Sequence, residues 1–330
     1  MRVCYNLYMV RFESGSNMSK KRLLTGMQSS GVLHIGNYFG MLKPLVEMYE
    51  DYESYLMVAD YHSLTSLKDP ALVRESIINS VKDALAVGID PKKAVIFKQS
   101  DVQEHTELAW ILNCQVTVPF LQQAHAYKDK VAKGLEANAG LFTYPMLMAA
   151  DILLYDAEVV PVGSDQKQHV EYAREAATKF NQNYGETFLM PQEKIREGVG
   201  TVPGTDGQKM SKSYKNTVPL FGSREEIQKA VMSIVTDSSG EQPENVFKIH
   251  KLFRDESELE KLYEENKGQY KNLKEALIED IDAVLSPMRE RRAGITDKEV
   301  KEVLEGGAEK ARAEANAKME VVRQKVGVTI

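Results

Sequence analysis

Two lysines stand three residues apart in Lys209-Met210-Ser211-Lys212-Ser213, among small hydroxyl side chains and behind the glycine-rich Pro203-Gly204-Thr205-Asp206-Gly207. Lysine is a compact charge that can follow a phosphate as it moves, so the spacing predicts a mobile cationic loop for a polyphosphate. A solvated basic turn is the plainer reading, but a given five-residue string arises by chance in a chain this long only about once in ten thousand cases. A second constellation runs Thr25-Gly26-Met27-Gln28-Ser29-Ser30-Gly31, then His34-Ile35-Gly36-Asn37. A glycine there lets a flat ring or a phosphate approach the backbone, and helix-start N–H groups favour anions. His34 and Asn37 flank Gly36 and could reach polyphosphate or ribose; alone, the tetrad is a weak signal. The third is Asp151, which follows an apolar run where an unpaired carboxylate would be costly. It is either an aspartate at a helix end or in a buried ion pair, or an acceptor for a substrate donor.

These residues need a scaffold, and the pattern around them alternates strand and helix. Short apolar runs at 22–25, 55–59, 94–97 and 159–162 read as buried strands. Helical spacing is evident at 36–52 (with Phe39, Leu42, Val46 and Tyr49 on one face), 72–87, 106–114, 141–154 and 169–181. Gly88 sits where a helix would end. The expected fold class is α/β, a parallel sheet covered by helices on both faces, with ligands outside the carboxyl ends of the strands. After about Pro219 the strand runs stop and helical periodicity continues to the end.

Length and composition set the outer limits. A chain of 330 residues holds one large domain or two. With 43% hydrophobic and 27% charged residues it is an ordinary globular sequence, which excludes wholesale disorder. The longer apolar stretches run straight into aspartates, which excludes a transmembrane protein. The net charge of −6 argues against wholesale coating of DNA but leaves room for a local basic track. Two cysteines, Cys4 and Cys114, form neither a disulfide framework nor a zinc site, so a cytoplasmic location is expected. Residues 1–17 do not read as a signal peptide; they are expected to be a disordered extension.

In this order and context the two motifs resemble the signature pair of class I aminoacyl-tRNA synthetases. His34-Ile35-Gly36-Asn37 is similar to the HIGH motif, and Lys209 to Ser213 matches KMSKS letter for letter. A third block narrows the resemblance to the tryptophanyl-tRNA synthetase family, bacterial type. It runs Thr143-Tyr144-Pro145-Met146-Leu147-Met148-Ala149-Ala150-Asp151 to Tyr155, then Val160-Pro161-Val162-Gly163-Ser164-Asp165-Gln166. Ala59-Asp60-Tyr61-His62, Thr236-Asp237-Ser238-Ser239-Gly240 and Glu305-Gly306-Gly307-Ala308 extend it over about residues 20–328. The Met-Ala-Ala-Asp and Gly-Ser-Asp-Gln blocks favour tryptophan over tyrosine.

The resemblance implies a Rossmann-like parallel-sheet nucleotide-binding domain over 18–217. It implies a smaller all-helical anticodon-binding domain over 218–305, and a C-terminal helix in 306–330 packing back on the first. It implies ATP, L-tryptophan and tryptophan tRNA as partners, with Mg²⁺ brought by ATP, a homodimer, and no membrane or DNA. His34, Asn37, Lys130, Lys209 and Lys212 would serve catalysis. Gln28, Ser29, Ser30, Gly36, Gly163, Ser164, Asp165, Val202, Met210, Ser211 and Ser213 would join them around ATP. Asp151 would accept the indole N–H, which is a donor only, with Met148, Gln166, His62 and Tyr144 completing the tryptophan pocket. Phenylalanine would leave the carboxylate unpaired, a strong mode of rejection. The sequence departs from the family at Leu24 (often Phe), Ser29 (usually Pro) and His34 (commonly Thr). Met288-Arg289-Glu290-Arg291-Arg292 is a candidate tRNA contact, with a solvated helix face as the simpler reading.

Overall fold

The computed structural model describes residues 20–27, 33–134, 136–162, 167–195, 202–236 and 243–329. Five parallel strands, β1 (Arg22–Met27), β2 (Glu53–Val58), β3 (Ala94–Lys98), β4 (Val159–Val162) and β5 (Gln192–Ile195), lie in the order β3-β2-β1-β4-β5. The sequence direction reverses between β1 and β4, the point at which such sheets open a crevice beyond the strand ends. Successive strand side chains point to opposite faces. Leu23, Leu56, Val58, Ile96 and Val159 accordingly enter one core, and Leu24, Tyr55, Met57, Phe97 and Val160 enter the other. β5 departs from the expectation of four strands. Gln-Glu-Lys-Ile is polar because it borders the sheet, where charge discourages further pairing, so no apolar run marks it.

The helices are α1 (Ile35–Asn37), α2 (Lys43–Met48), α3 (Asp60–Ser63), α4 (Pro70–Ala86), α5 (Glu104–Asn113), α6 (Val118–Leu121) and α7 (His125–Ala132). α8 (Ala139–Leu153), α9 (Lys167–Tyr184), α10 (Arg224–Met232), α11 (Glu244–His250), α12 (Glu256–Glu265), α13 (Tyr270–Gly294) and α14 (Asp297–Val326) follow. The helix expected over 36–52 is interrupted by a π-turn at Tyr38–Leu42. Pro44 has no N–H for the carbonyl four residues back, and Lys43 N–H bonds Tyr38 instead.

The helical region shares a core with the sheet: Ile227, Val246, Leu277 and Leu285 pack in the cluster that holds Phe39 and Leu56. α14 returns along the opposite face, where Ala311, Ala315, Met319 and Val322 join Phe97 and Leu108. Gly307 lies so close to edge strand β3 that a Cβ would collide with the Ile96 carbonyl. Lys318–Asp156 at 2.6 Å and Arg323–Glu107 at 2.5 Å fasten the same helix.

Candidate active site at the strand ends

α8 projects Tyr144, Met148 and Asp151 at spacings of four and three residues, hence on one face, and Tyr155 continues that line. Asp151 is 2% exposed. Its Oδ1 accepts from Gln99 Nε2 at 2.8 Å and from His105 Nδ1 at 2.6 Å. Its Oδ2 accepts from His62 Nε2 at 2.9 Å. Burial pushes this carboxyl up, but the hydrogen bonds from His105 and His62 outweigh it and hold it at about 2. His62 and Gln99 follow the carboxyl ends of β2 and β3. Asp60 Oδ1 ties the two turns together by accepting from Ser100 N–H at 3.0 Å. The Tyr144 hydroxyl lies 2.5 Å from His169 Nε2, and burial pushes its phenol up to about 12, so it stays protonated. Met148 is partly buried against the same core.

The two phosphate-type motifs meet on the other side of β1. His34 N–H donates to Asn37 Oδ1 at 3.1 Å, and Ile35 N–H to the Val218 carbonyl at 3.0 Å, so the segment after the lysine loop pairs with the helix start. A Cβ on Gly36 would lie 2.9 Å from His34 Nδ1 and 3.5 Å from Met210 Cβ, so the glycine lets histidine and loop approach. Burial, and secondarily the Lys212 charge, push His34 down to about 4; the ring is neutral near pH 7, and its buried Nδ1 has no partner among the described residues. Met210 is buried and anchors the loop, with its N–H on the Val202 carbonyl at 2.9 Å. Burial lowers the pKa of half-buried Lys212, and the carboxylate of Asp83 works the other way. Lys209 is exposed.

Comparison with known proteins bears on this pairing of sites. A family model described as "tRNA synthetases class I (W and Y)" matches residues 16–319. The chain belongs to this family. The tryptophan–tRNA ligase of Fusobacterium nucleatum is 47% identical over 319 residues, 93% of this chain and 98% of that protein. The enzyme of Campylobacter jejuni is 46% identical over 318 residues, 93% and 100%. The crystal structure of Campylobacter jejuni tryptophanyl-tRNA synthetase complexed with ADP and tryptophan superposes with a TM-score of 0.88 at 45% identity, covering 93% of this chain and 99% of that one. The Mycoplasma pneumoniae synthetase gives 0.80 at 31% identity.

Within this class I synthetase the sequence-predicted residues fall into three groups. His62, Tyr144, Met148 and Asp151 come together, as do His34, Gly36, Asn37, Val202 and Met210 to Lys212. Lys130 lies on α7, which rests on α8 through the Tyr127–Phe142 ring contact at 5.0 Å; no hydrogen bond joins it to either group among the described residues. Gln28, Ser29, Ser30, Gly163, Ser164, Asp165 and Gln166 lie outside the described residues, following β1 and β4 in sequence, as does the Ser213 side chain.

The structure adds residues the sequence reading passed over. Gln99, His105 and Tyr155 surround Asp151; helical spacing from Asp151 to Tyr155 was the available signal. Asn216, 2% exposed, pins the lysine loop. Its Nδ2 donates to Asp206 Oδ1 at 2.7 Å and the Lys209 carbonyl at 3.1 Å, and its Oδ1 accepts from Ser211 N–H at 2.8 Å. The arginines of the basic cluster on α13 are tied to neighbouring elements, although Glu290 and Arg291 remain exposed. Arg292 Nε meets Asp83 at 2.6 Å, Arg291 the Ala86 carbonyl at 2.7 Å and Arg289 the Gly222 carbonyl at 2.9 Å, which staples α13 to α4 and to the segment before α10.

Proposed function

We propose that this chain activates L-tryptophan with ATP and then transfers it to tryptophan tRNA. In the first step a carboxylate oxygen of tryptophan attacks the α-phosphorus, the bond to the β-phosphate oxygen breaks, and pyrophosphate leaves. In the second a terminal ribose hydroxyl of the tRNA attacks the acyl carbon and AMP leaves. The observation that carries the amino-acid choice is Asp151: a buried, ionised carboxylate whose Oδ2 carries a single partner among the described residues, on the helix face that also bears Met148 and Tyr144. An indole N–H, which can only donate, completes it. The names of the relatives and the neighbour that holds ADP and tryptophan support the same assignment.

Lys209 and Lys212 neutralise the departing pyrophosphate, an electrostatic task that needs placement more than a strong base. His34, Gly36 and Asn37 form the adenosine and phosphate cradle, in which the bare His34 Nδ1 gains a partner. Lys130 approaches ATP from α7, and Gln28, Ser29, Ser30, Gly163, Ser164 and Asp165 supply further nucleotide contacts, with Val202 near adenine and Gln166 on the tryptophan side. Among the described residues no three His, Cys, Asp or Glu side chains converge on a metal position. Mg²⁺ enters with ATP, held by phosphates and water.

Residues 18–217 are the catalytic domain, 218–305 read the anticodon, and 306–330 join the C-terminal helix to the first domain. Exposed Trp110 and Val118 supply apolar surface for a homodimer, which sedimentation tests. A cytoplasmic location is part of the same proposal; no described helix is long and apolar enough to cross a membrane.

ATP–pyrophosphate exchange against a panel of amino acids tests the reading. Exchange with tryptophan alone is expected; exchange with tyrosine instead overturns the specificity, and none with any amino acid overturns the activity. Lys212→Ala should slow adenylate formation about a hundredfold while tryptophan affinity holds; an unchanged rate removes the lysine from the reaction.

A further inference from the structure

Asp151 has more partners than one indole acceptor needs, and they fall on one side. Among the described residues Oδ1 takes two donors, Gln99 and His105, and Oδ2 takes one, His62. His105 has no exposed surface, and its ring lies 6.0 Å from that of Phe97 in a stacked arrangement. Its Nε2 is 2.9 Å from the Tyr155 hydroxyl. An ionised carboxylate can only accept, so His105 Nδ1 carries the proton given to Oδ1. The buried Tyr155 O–H has no other acceptor among the described residues and donates to the bare Nε2. Every proton along Tyr155, His105 and Asp151 therefore points toward the carboxylate, and the tautomer of His105 is fixed.

We propose that His105, locked by Tyr155, is a positioning residue for amino-acid selection: it fills Oδ1 together with Gln99 and so leaves Oδ2 as the one acceptor turned to the substrate. This rests on the reading of Asp151 as the indole acceptor. A carboxyl is loose about its terminal torsion, and two donors on one oxygen remove that freedom before substrate arrives. The site then meets the indole N–H without reorganising, which is where a preorganised hydrogen bond gains over a mobile one.

The test uses exchange kinetics of the full-length protein with L-tryptophan and with its sulfur isostere 3-(benzothiophen-3-yl)-L-alanine, which lacks the N–H. His105→Leu should raise the tryptophan KM about 10- to 100-fold, the range for one hydrogen bond to a charged group. The ATP KM should stay within about twofold, and the preference for tryptophan over the isostere should fall at least about tenfold. His105→Asn, whose amide N–H replaces Nδ1, should recover most of both. Tyr155→Phe should cost about threefold.

If His105→Leu lowers the melting temperature but keeps the native preference, His105 is structural and the proposal fails. If His105→Asn folds yet performs no better than His105→Leu, the donor is not the cause and the proposal also fails. Should His105→Leu not fold, His105→Asn and Tyr155→Phe decide it: native tryptophan KM in Tyr155→Phe with none of the recovery in His105→Asn overturns it. Asp151→Asn separates the underlying reading. A native preference in that variant overturns Asp151 as acceptor; a lost preference there, with a native one in His105→Leu, overturns His105 alone.

Discussion

His250 in the helical region and His105 beneath the sheet sit in look-alike chains. His250, without exposed surface, has Nε2 2.8 Å from Asp280 Oδ2 and Nδ1 3.2 Å from the Tyr263 hydroxyl. His105 has Nδ1 2.6 Å from Asp151 and Nε2 2.9 Å from Tyr155. The residue types match, with the two ring nitrogens exchanged; what the aspartate has left over does not. Asp280 Oδ1 is taken by Arg254 at 2.5 Å, so the carboxylate is balanced by a guanidinium and serves to fasten α11 to α13. Asp151 meets no lysine or arginine among the described residues, and its Oδ2 keeps acceptor capacity. A carboxylate closed by an arginine is a clamp. One held by histidine and glutamine donors keeps a lone pair for a further donor, the capacity on which the proposed indole contact draws.

The largest effect should separate the two. Asp151→Ala is expected to lower kcat/KM for tryptophan at least about a hundredfold, since the indole N–H loses a hydrogen bond to a charged acceptor worth about 1.5–3 kcal/mol. The ATP KM should move less than about twofold; a parallel loss of both would make Asp151 a clamp like Asp280. Next, Asp280→Asn should cost about 3 kcal/mol of unfolding free energy in urea melts and leave tryptophan kinetics at 25 °C untouched. A tenfold change in the tryptophan KM would tie the helical chain to the site.

Acid should sharpen the contrast further. Asp151 is held at about 2, so it stays ionised and the tryptophan KM should be flat from pH 5 to 8. Burial lowers the pKa of His250 from 6.5 despite Asp280. The folded state then binds fewer protons than the unfolded one, so this stabilisation is complete above about pH 6.5 and declines as pH falls through the folded value. His250→Asn should lose less stability than the native protein between pH 7.5 and 5 in urea melts; an equal loss would remove His250 from the acid response. The smallest effect is Tyr263→Phe, with a loss under about 1 kcal/mol and no kinetic change.

The contiguous features were legible in the sequence. Four strands announced themselves as apolar runs because both sheet faces are buried, and the lysine loop is a string whose chemistry follows from its spelling. Asp151 was legible because a charge after an apolar helical run needs a reason. Its supports were not: Gln99 follows β3, His105 opens α5, and only folding brings them to one oxygen. Asn216 carries no mark of its own in the sequence, because its bonds to Asp206, to the Lys209 carbonyl and to Ser211 N–H exist only in the folded loop. The arginines of α13 read as a candidate tRNA contact or a solvated face, and the sequence does not show that Asp83, on a helix some two hundred residues earlier, meets Arg292.

The most direct measurement needs no variant. Single-turnover adenylate formation by the native protein is timed with L-tryptophan and with its benzothiophene isostere at equal concentration. A carboxylate kept open for one N–H predicts at least about a hundredfold preference for tryptophan, because the isostere leaves the acceptor unpaired. Equal rates for the two would contradict it.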